Sequence, residues 1–307
     1  MTGTDLPVLL LAYNRPHTTA QVFARIRATR PRQLFVAVDG PRPDRPEDAA
    51  RCAAVRRMAA AVDWPAEVHT RFLDANLGCR RAASSAISWF FDHVEAGVVL
   101  EDDCLPETDF FDFCAAMLAR YAGTPRVMHV AGYNPHDGRR HGAADYYYSN
   151  YNLIWGWASW RRAWRCYDDD PEAFARSLQG GELGHLFATR RERIYFRQRF
   201  VDTFNGDIDS WGYVWLYSRC RQAGVAIHPN ANLITNIGFD AAATHTRRAA
   251  SPDYNRPWGQ LNRPLRHPDH ITVNRAADGQ IFRRLHCRSL PLFLLARALR
   301  RLRQRHR

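Results

Sequence analysis

Residues 97–111 read GVVLEDDCLPETDFF, an apolar run that ends in three consecutive acids and is followed by a helix start. A short apolar run without polar alternation is typical of a strand that is buried on both faces of a parallel sheet. The run predicts a strand over Gly97–Leu100, and Pro106 with Asp109 predicts that a helix begins shortly afterwards. A strand followed directly by a helix is the repeating unit of α/β folds.

The same succession of strand and helix recurs on both sides of this stretch. Further strands are predicted at Val8–Ala12, Leu34–Val38, Glu67–Phe72 and Val127–Val130. Helical patterns between them cover Pro16–Arg30, Asp48–Ala61 and Gly78–Val94. Strands that alternate with helices form a mostly parallel sheet with helices on its faces, so the sequence predicts an α/β fold.

Polar residues follow three of the predicted strands: Asn14 and Arg15 after the first, Asp39 after the second, and Glu101, Asp102 and Asp103 after the fourth. Open parallel sheets bind ligands beyond the carboxyl ends of their strands, so we expect these side chains to converge on one edge. Adjacent carboxylates repel one another unless a cation lies nearby. One or two carboxylates, together with phosphate oxygens, are the usual ligands of Mg²⁺ or Mn²⁺ beside a diphosphate. The alternative is an acidic helix start without a ligand.

Two other acidic triplets, Asp168–Asp170 and Asp207–Asp209, do not follow a buried apolar strand. Asp168–Asp170 precedes Pro171, and acids directly before such a proline are typical of a helix N-terminus. The first of these triplets is therefore predicted to be structural, and the candidate metal site stays at residues 101–103.

The basic residues are unusual because all 43 are arginine and the chain contains no lysine. This excludes a Walker-type phosphate loop and Schiff-base catalysis, which both need a lysine. The net charge is +12, but six arginines fall in the last eleven residues. A basic composition of this kind is weak evidence for nucleic-acid binding by the core, and no nucleic-acid partner is predicted. High alanine and arginine content is typical of a GC-rich bacterial genome.

Cysteine usage and the N-terminus both indicate a cytoplasmic protein. The seven cysteines are scattered and odd in number, and none forms a C-x-x-C pair, which argues against a zinc site or a disulfide framework. The N-terminus lacks the features of a signal peptide, and no apolar run approaches the roughly 20 residues that span a bilayer.

The C-terminal part of the sequence has a different character from the rest. Residues 251–288 are rich in proline, arginine and histidine and are predicted to be an irregular extension. In residues 289–307, leucines at helical spacing lie opposite arginines, which predicts a basic amphipathic helix. Such a helix can lie on an anionic surface and bring the protein to the inner face of the plasma membrane. The alternative is a solvated terminal helix that packs on its own domain.

Four segments in this order resemble the GT-A-fold glycosyltransferases: VLLLAYNRP, VAVDGPR, ANLGCRRA and VVLEDDCLPETDFF. The resemblance is in particular to α-1,3-mannosyl-glycoprotein β-1,2-N-acetylglucosaminyltransferase and its bacterial relatives. It covers residues 7–135 and extends more loosely, through WGW, DIDSW and NIGFDAAATHT, to about residue 246. The resemblance implies a GT-A domain, Rossmann-like, over residues 1–250, with a donor half at about 1–135 and an acceptor half at about 136–250.

The resemblance also implies roles on the donor side. By position, Asp103 corresponds to the residue that binds the divalent ion, and Glu101 and Asp102 to residues that face the ribose and the base. Arg15 corresponds to an arginine that approaches the nucleotide, and the alternative is an ordinary arginine at a helix start. Asp39 corresponds to an acid that accepts a hydrogen bond from uracil.

Two donor-side positions are less direct. A base-contacting histidine of the family falls near Cys79–Arg81, where this chain has none, so Arg80 or Arg81 would have to take its place. His245 corresponds to a loop residue that closes near the donor phosphates, and the alternative is an ordinary loop histidine.

On the acceptor side, Trp155, Gly156 and Trp157 resemble the family's Gly-Trp acceptor loop, although both tryptophans would equally suit the core. Asp209, in DIDSW, resembles the catalytic base that precedes a tryptophan-containing helix. The alternative for Asp209 is a cap of the helix that begins near Ser210 or Trp211.

The function implied is an inverting, metal-dependent transfer of a sugar from a nucleotide diphosphate, with UDP and UDP-GlcNAc as the donor compounds that the resemblance suggests. The acceptor would be a glycan or a lipid-linked hydroxyl in polysaccharide biosynthesis. Two alternatives stay open: a non-catalytic carbohydrate- or nucleotide-binding protein, and a sugar-nucleotide nucleotidyltransferase. The second typically uses a Gly-rich loop with lysine, and this chain has neither.

Overall fold

The computed structural model of the protein describes residues 5–181, 187–238 and 256–286. Within these ranges the strands are β1 (Val8–Ala12), β2 (Gln33–Val38), β3 (Glu67–Phe72), β4 (Ala96–Glu101), β5 (Cys104–Pro106), β6 (Val127–Ala131), β7 (Tyr146–Ser149), β8 (Trp157–Trp160), β9 (Val225–Pro229) and β10 (Ile234–Asn236). The helices are α1 (Pro16–Thr29), α2 (Pro46–Ala60), α3 (Gly78–His93), α4 (Thr108–Arg120), α5 (Arg161–Trp164), α6 (Pro171–Gln179), α7 (Arg190–Phe204), α8 (Trp211–Arg221) and α9 (Arg275–Ile281), and a π-helical turn (Phe282–His286) follows α9.

Eight strands form one sheet in the order β3-β2-β1-β4-β8-β6-β9-β7. The first four strands in this order run parallel to one another, and Leu10 of β1 lies opposite Val36 of β2 and Leu100 of β4. The prediction of an α/β fold with a mostly parallel sheet flanked by helices is confirmed. The arrangement is compatible with a Rossmann-like fold.

Strand β1 is apolar throughout because both of its faces are covered. Val8 and Leu10 pack in the cluster that contains side chains of α1, α2 and α4, whereas Leu9 and Leu11 pack in the cluster that contains side chains of α3 and α5. Each buried side chain of this size contributes about 1.5–3 kcal/mol relative to exposure. The central strands therefore hold the carboxyl edge of the sheet in a fixed position.

Strand β8 is not predicted from the sequence, in which Trp155, Gly156 and Trp157 resemble an acceptor loop. Trp157–Trp160 instead pairs antiparallel with both β4 and β6. Through these pairings the sheet runs without interruption from the half that contains β1 to the half that contains β9. Residues from both halves consequently reach the same edge.

The C-terminal extension is more regular than the sequence suggests. Residues 275–286 form α9 and the π-helical turn, and the Asn274 side chain caps α9 by accepting from the Ala277 amide at 3.0 Å. Asp278 accepts hydrogen bonds from the Ser149 hydroxyl at 2.5 Å and the Asn150 amide at 3.1 Å, which fixes α9 beside β7. The predicted amphipathic helix at 289–307 lies outside the described residues.

Several smaller expectations have clear outcomes. The Asp170 carboxylate accepts the Glu172 amide at 2.9 Å and caps α6, as predicted for the triplet before Pro171. Six cysteines fall in the described ranges and all are free thiols. No helix there is long and apolar enough to cross a bilayer.

Candidate functional site

A cleft of about 520 Å³ opens at the carboxyl edge of β1, β2 and β4. Its walls include residues that directly follow each of these strands and residues from the loop before α8. Eight of the predicted site residues line it: Asn14, Arg15, Asp39, Glu101, Asp102, Asp103, Trp155 and Asp209. The expected convergence on one edge of the sheet is therefore observed.

Arg15 is the counter-ion of the acidic triplet. Its guanidinium Nη1 lies 2.9 Å from Asp103 Oδ2, and its Nη2 donates to Asp102 Oδ1. The Tyr13 amide donates to the other Asp102 oxygen at 3.2 Å. Asp102 is 2% exposed and Asp103 is 9% exposed, so one arginine serves two nearly buried carboxylates.

The triplet carries more negative charge than Arg15 offsets. Burial raises the pKa of Glu101 to about 8, and the Asp103 and Asp102 carboxylates add to this rise, against the opposing effect of Arg15. Burial also raises the pKa of Asp102 to about 6, although the contact with Arg15 acts in the opposite direction. An additional cation at this point would stabilise the carboxylate forms.

Glu101, Asp103 and Cys104 form the group whose side chains could hold a metal ion. Their potential ligand atoms all lie within 4.8 Å of one another. Burial raises the pKa of the Cys104 thiol well above its ordinary value, and the thiol donates to Asp103 Oδ1 at 3.4 Å. The usable ligands are thus two carboxylates, a donor set that suits a hard divalent ion such as Mg²⁺ or Mn²⁺.

Gly238 lies directly against this centre and was not predicted from the sequence. Strand β10 pairs antiparallel with β5, and the Ile237 amide then donates to the backbone oxygen of Asp103 at 2.9 Å. A Cβ atom on Gly238 would lie 2.2 Å from Asp103 Oδ2 and 2.7 Å from Arg15 Nη1. The only signal in the sequence is a glycine in NIGFD, since the pairing of β5 with β10 is not local.

Asp39 is bound by the segment that leads into α3. Its Oδ1 accepts the amides of Gly40 at 2.8 Å and Leu77 at 2.9 Å, and its Oδ2 accepts the side-chain amide of Asn76 at 2.9 Å. Burial raises the pKa of Asp39, although these backbone amides act in the opposite direction. Asp39 therefore joins the end of β2 to the start of α3 and faces the cleft at their junction.

Asp209 also binds the start of α3. Its Oδ2 accepts the Cys79 amide at 2.8 Å and its Oδ1 accepts the Arg80 amide at 2.9 Å. Ser210, the N-terminal cap position of α8, makes no capping hydrogen bond through its side chain. Asp209 is thus a cap, but of α3 rather than of the helix that follows it, and its carboxylate remains exposed at the mouth of the cleft.

Asp48 is a second residue that the sequence does not single out. Its side chain is fully buried and accepts hydrogen bonds from the Tyr13 hydroxyl at 2.5 Å, Asn14 Nδ2 at 2.6 Å and Arg42 Nε at 2.6 Å. All three donors line the cleft. The hydrogen bonds from Arg42, Tyr13 and Asn14 hold the pKa of Asp48 well below its ordinary value, against the effect of burial.

Two predicted arginine contacts are not brought into the cleft. Arg80 Nη1 donates to the Thr203 carbonyl at 2.9 Å, and Nη2 donates to the Asp169 carbonyl at 3.3 Å, so this side chain is directed toward α7. Arg81 is exposed and does not line the cleft. Neither side chain takes the place of the missing histidine in this conformation.

The predicted acceptor loop is divided between the cleft and the core. Trp155 lines the cleft, whereas Trp157 is completely buried and its ring stacks on His129 at 5.0 Å and Trp211 at 5.5 Å. Gly156 has a left-handed φ of 60°, and Ile234 fills the space where its Cβ would be. Contact with an acceptor through Trp157 is therefore excluded in this conformation, because Trp157 belongs to the core. His245 lies outside the described residues.

Comparison of the chain with protein-family models gave no match, and comparison with curated proteins gave no significant match either. The chemistry of the cleft is consequently interpreted from its own residues. These residues combine a surplus of buried carboxylates, one bridging arginine and an exposed carboxylate at the mouth.

Proposed function

We propose that the protein is a GT-A-type glycosyltransferase that moves a sugar from a nucleotide diphosphate to an acceptor hydroxyl with inversion. The observation that carries the proposal is that the Asp103 and Glu101 carboxylates lie within 4.8 Å of each other, with Arg15 bound to Asp103, at the carboxyl edge of β1 and β4. A cleft of about 520 Å³ is in the range of ligand-sized cavities in proteins. This combination suits a ligand that carries phosphate groups together with a divalent cation.

Asp103, with Glu101 next to it, would hold Mn²⁺ or Mg²⁺. Such an ion, when bound, offsets the charge of a diphosphate and so makes it a better leaving group. Arg15 contributes positive charge at the same point, and its guanidinium can donate to phosphate oxygens in a bidentate manner. The acids of the cleft would repel a diphosphate in the absence of a cation, which supports a metal-dependent activity.

The nucleoside is proposed to lie between the ends of β1 and β2, against Tyr13, Asn14 and Asp39. The buried Asp48 carboxylate holds Tyr13 and Asn14 in position by accepting a hydrogen bond from each. A uracil base is the proposal for the group recognised beside Asp39, whose carboxylate accepts hydrogen bonds. The sugar and the diphosphate would then extend toward Arg15 and Asp103.

Asp209 is proposed as the general base. The acceptor oxygen forms a bond to the anomeric carbon, the bond to the diphosphate breaks with its electron pair, and the acceptor proton passes to the Asp209 carboxylate. Each Asp209 oxygen accepts one backbone amide, and a carboxylate has about four acceptor positions, so both oxygens keep a free lone pair. Asp209 therefore needs no rearrangement to accept a proton.

The acceptor is proposed to be a glycan or a lipid-linked compound that lies against Trp155. A tryptophan ring in a cleft wall offers a flat apolar face for a sugar ring. The proposed site of action is the cytoplasmic side of a membrane, where the predicted amphipathic segment at 289–307 would contact anionic lipid.

A thermal-shift panel of nucleoside diphosphates and nucleotide sugars, with manganese or with EDTA, tests the proposal. We expect UDP compounds to raise the melting temperature only when manganese is present. If a nucleotide with another base raised the melting temperature in a metal-dependent manner, the reaction class would still be supported, but the assignment of uracil would be wrong. A folded protein that responds to none of these compounds would support the non-catalytic binding alternative.

A further inference from the structure

A second pocket, of about 460 Å³, lies beyond the carboxyl end of β6. Strand β6 runs in the same direction as β4, because both pair antiparallel with β8, so this pocket opens at the same edge of the sheet as the cleft. Residues of the loop after β6 form one side, and residues of α9 and the π-helical turn form the other. We call it the arginine pocket, after Arg139, Arg283 and Arg284.

The arginine pocket is strongly positive. Of the described residues that line it, three are arginines and one, Asp137, is acidic. Asp137 already forms ion pairs with Arg284 and with Arg256, so its charge is offset. Burial and the neighbouring His141 lower the pKa of His136 to about 4, so this histidine is neutral. The pocket therefore presents a surplus of guanidinium groups to any ligand.

Gln280 adds a neutral donor between these arginines. Its Oε1 lies 3.1 Å from His136 Nδ1 and 3.1 Å from His141 Nε2, while the Tyr147 hydroxyl lies 2.8 Å from His136 Nε2. With the hydroxyl donating to His136 Nε2 at 2.8 Å rather than to the more distant His228 Nδ1 at 3.4 Å, both His136 and His141 donate to the Gln280 oxygen. The amide nitrogen then has no partner among the described residues, and its two N–H groups remain for a ligand.

Side-chain contacts connect the arginine pocket to the wall of the cleft. Trp155 lines the cleft, and its ring is 4.6 Å from the ring of Tyr133. The Arg256 guanidinium lies 5.8 Å from the centre of the Tyr133 ring. It also forms an ion pair with Asp137 of the arginine pocket. Two buried side chains, Tyr133 and Arg256, thus lie between the proposed acceptor wall and the arginine pocket, and the two openings are at the same edge of the sheet.

We propose that the arginine pocket binds a phosphate group of the acceptor. Arg139 and Arg283, with the Gln280 amide and the ion-paired Arg284 beside them, match a group with two negative charges and several oxygens, whereas a lone carboxylate needs one arginine. That the pocket binds phosphate is inferred from its lining residues alone. That this phosphate belongs to the acceptor rests on the proposed transferase function. Acceptors of the required chemistry are soluble sugar phosphates and lipid-linked diphosphates.

The test titrates inorganic diphosphate, glucose 1-phosphate and geranyl diphosphate into the full chain by calorimetry, in EDTA and without a donor. Under these conditions the acid-lined cleft should repel the probes. The double variant Arg139→Ala/Arg283→Ala removes two arginines of the pocket and leaves Arg284, which pairs with Asp137, in place. The matched control is Arg51→Ala/Arg57→Ala, two exposed arginines on α2.

We expect binding in the wild type and in the control, and at least a 10-fold weaker affinity in the pocket variant. Tighter binding of geranyl diphosphate would assign a lipid-linked source, and tighter binding of glucose 1-phosphate a soluble one. Equal affinities in all three proteins, or no binding to the wild type, would overturn the proposal. The outcome is separate from that of the transferase proposal, which depends on UDP and manganese in the cleft.

Discussion

Asp209 caps the helix that contains Cys79, 130 residues earlier in the chain, with Asp209 Oδ2 2.8 Å from the Cys79 amide nitrogen. The Asp39 carboxylate accepts the Leu77 amide at the same helix end. Two carboxylates from distant parts of the sequence thus satisfy amides that a helix N-terminus leaves without intrahelical partners. The contact also fixes the loop before α8 at the mouth of the cleft, where the general base is proposed to act.

The two proposed roles of Asp209, cap and base, can be separated by comparing Asp209→Asn with Asp209→Ala. Asp209→Asn keeps one acceptor oxygen for the two α3 amides, so it should lose less stability than Asp209→Ala, whose methyl group accepts neither amide. Asp209→Ala should lose about 1 kcal/mol of stability. Both should lose about 10²- to 10⁴-fold in turnover with unchanged nucleotide affinity. If Asp209→Asn turned over as fast as the wild type, Asp209 would not be the general base.

Arg15 should stabilise the acidic triplet most strongly when no metal is present. Arg15→Met leaves the nearly buried Asp102 carboxylate without its cation, and loss of one partner of such a pair costs about 3–5 kcal/mol. In EDTA, the melting temperature of Arg15→Met should be clearly lower than that of the wild type. Added manganese should raise the melting temperature of Arg15→Met by more than it raises that of the wild type.

The matched control for Arg15 is Arg27→Met, which breaks an ion pair with Asp63 in which both side chains are more than half exposed. Such pairs contribute about 1 kcal/mol or less. An equally small effect of Arg15→Met in EDTA would contradict the role of Arg15 as counter-ion.

Gly238 should be required for the geometry of the metal site. Gly238→Ala places a Cβ atom 2.2 Å from Asp103 Oδ2, so either the carboxylate or the backbone after β10 must move. We expect at least a 10-fold weaker affinity for manganese in the presence of UDP, measured by calorimetry. The control is Gly123→Ala, where a Cβ atom would meet nothing within 4 Å. Unchanged manganese affinity in Gly238→Ala would show that the close contact is irrelevant to the site.

Asp48, which holds residues of the cleft wall, should make the stability of the folded protein depend on pH. A carboxylate whose pKa is lowered in the folded protein stabilises the fold above its ordinary pKa of about 4, and this stability is lost as the pH falls toward the folded value. Asp48→Asn should therefore cost about 1–3 kcal/mol at neutral pH, and the difference from the wild type should narrow below about pH 4.

Urea unfolding at several pH values measures this difference for Asp48→Asn, with the exposed Asp92→Asn as control. The raised pKa values of Glu101 and Asp102 are shared by both proteins and cancel in the comparison. A difference that stays constant from pH 7 to pH 3 would contradict the charged hydrogen-bond network around Asp48.

The first half of the fold is predictable because its signals are local. The predicted boundaries of β1 and β3 agree with the structure, β2 begins one residue earlier than predicted, and β4 extends one residue further at each end. Residues after these strands converge because all four strands are parallel, so Arg15, Asp39 and Asp103 meet in one cleft. The parallel direction of the strands is therefore enough to predict that these three residues lie together.

The remaining features depend on contacts between residues far apart in the chain. Trp157 belongs to a strand because β4 and β6 offer free edges on both sides of it, which the aromatic sequence does not reveal. The partner of Asp209 is at the start of α3, and Gly238 meets Asp103 only through the pairing of β5 and β10. Asp48 lies within a helical pattern, where a buried acid has no distinguishing signal.

The most direct test of the metal-dependent nucleotide site is calorimetric titration of UDP, with manganese, into the wild type, Asp103→Ala and the exposed control Asp92→Ala. Asp103→Ala keeps Glu101 and Arg15 but removes the carboxylate that contacts both Arg15 and Gly238. We predict that the wild type and Asp92→Ala bind UDP only with manganese and that folded Asp103→Ala loses at least 100-fold in affinity. Undiminished manganese-dependent binding by Asp103→Ala, or no UDP binding by the folded wild type, would contradict the proposed site.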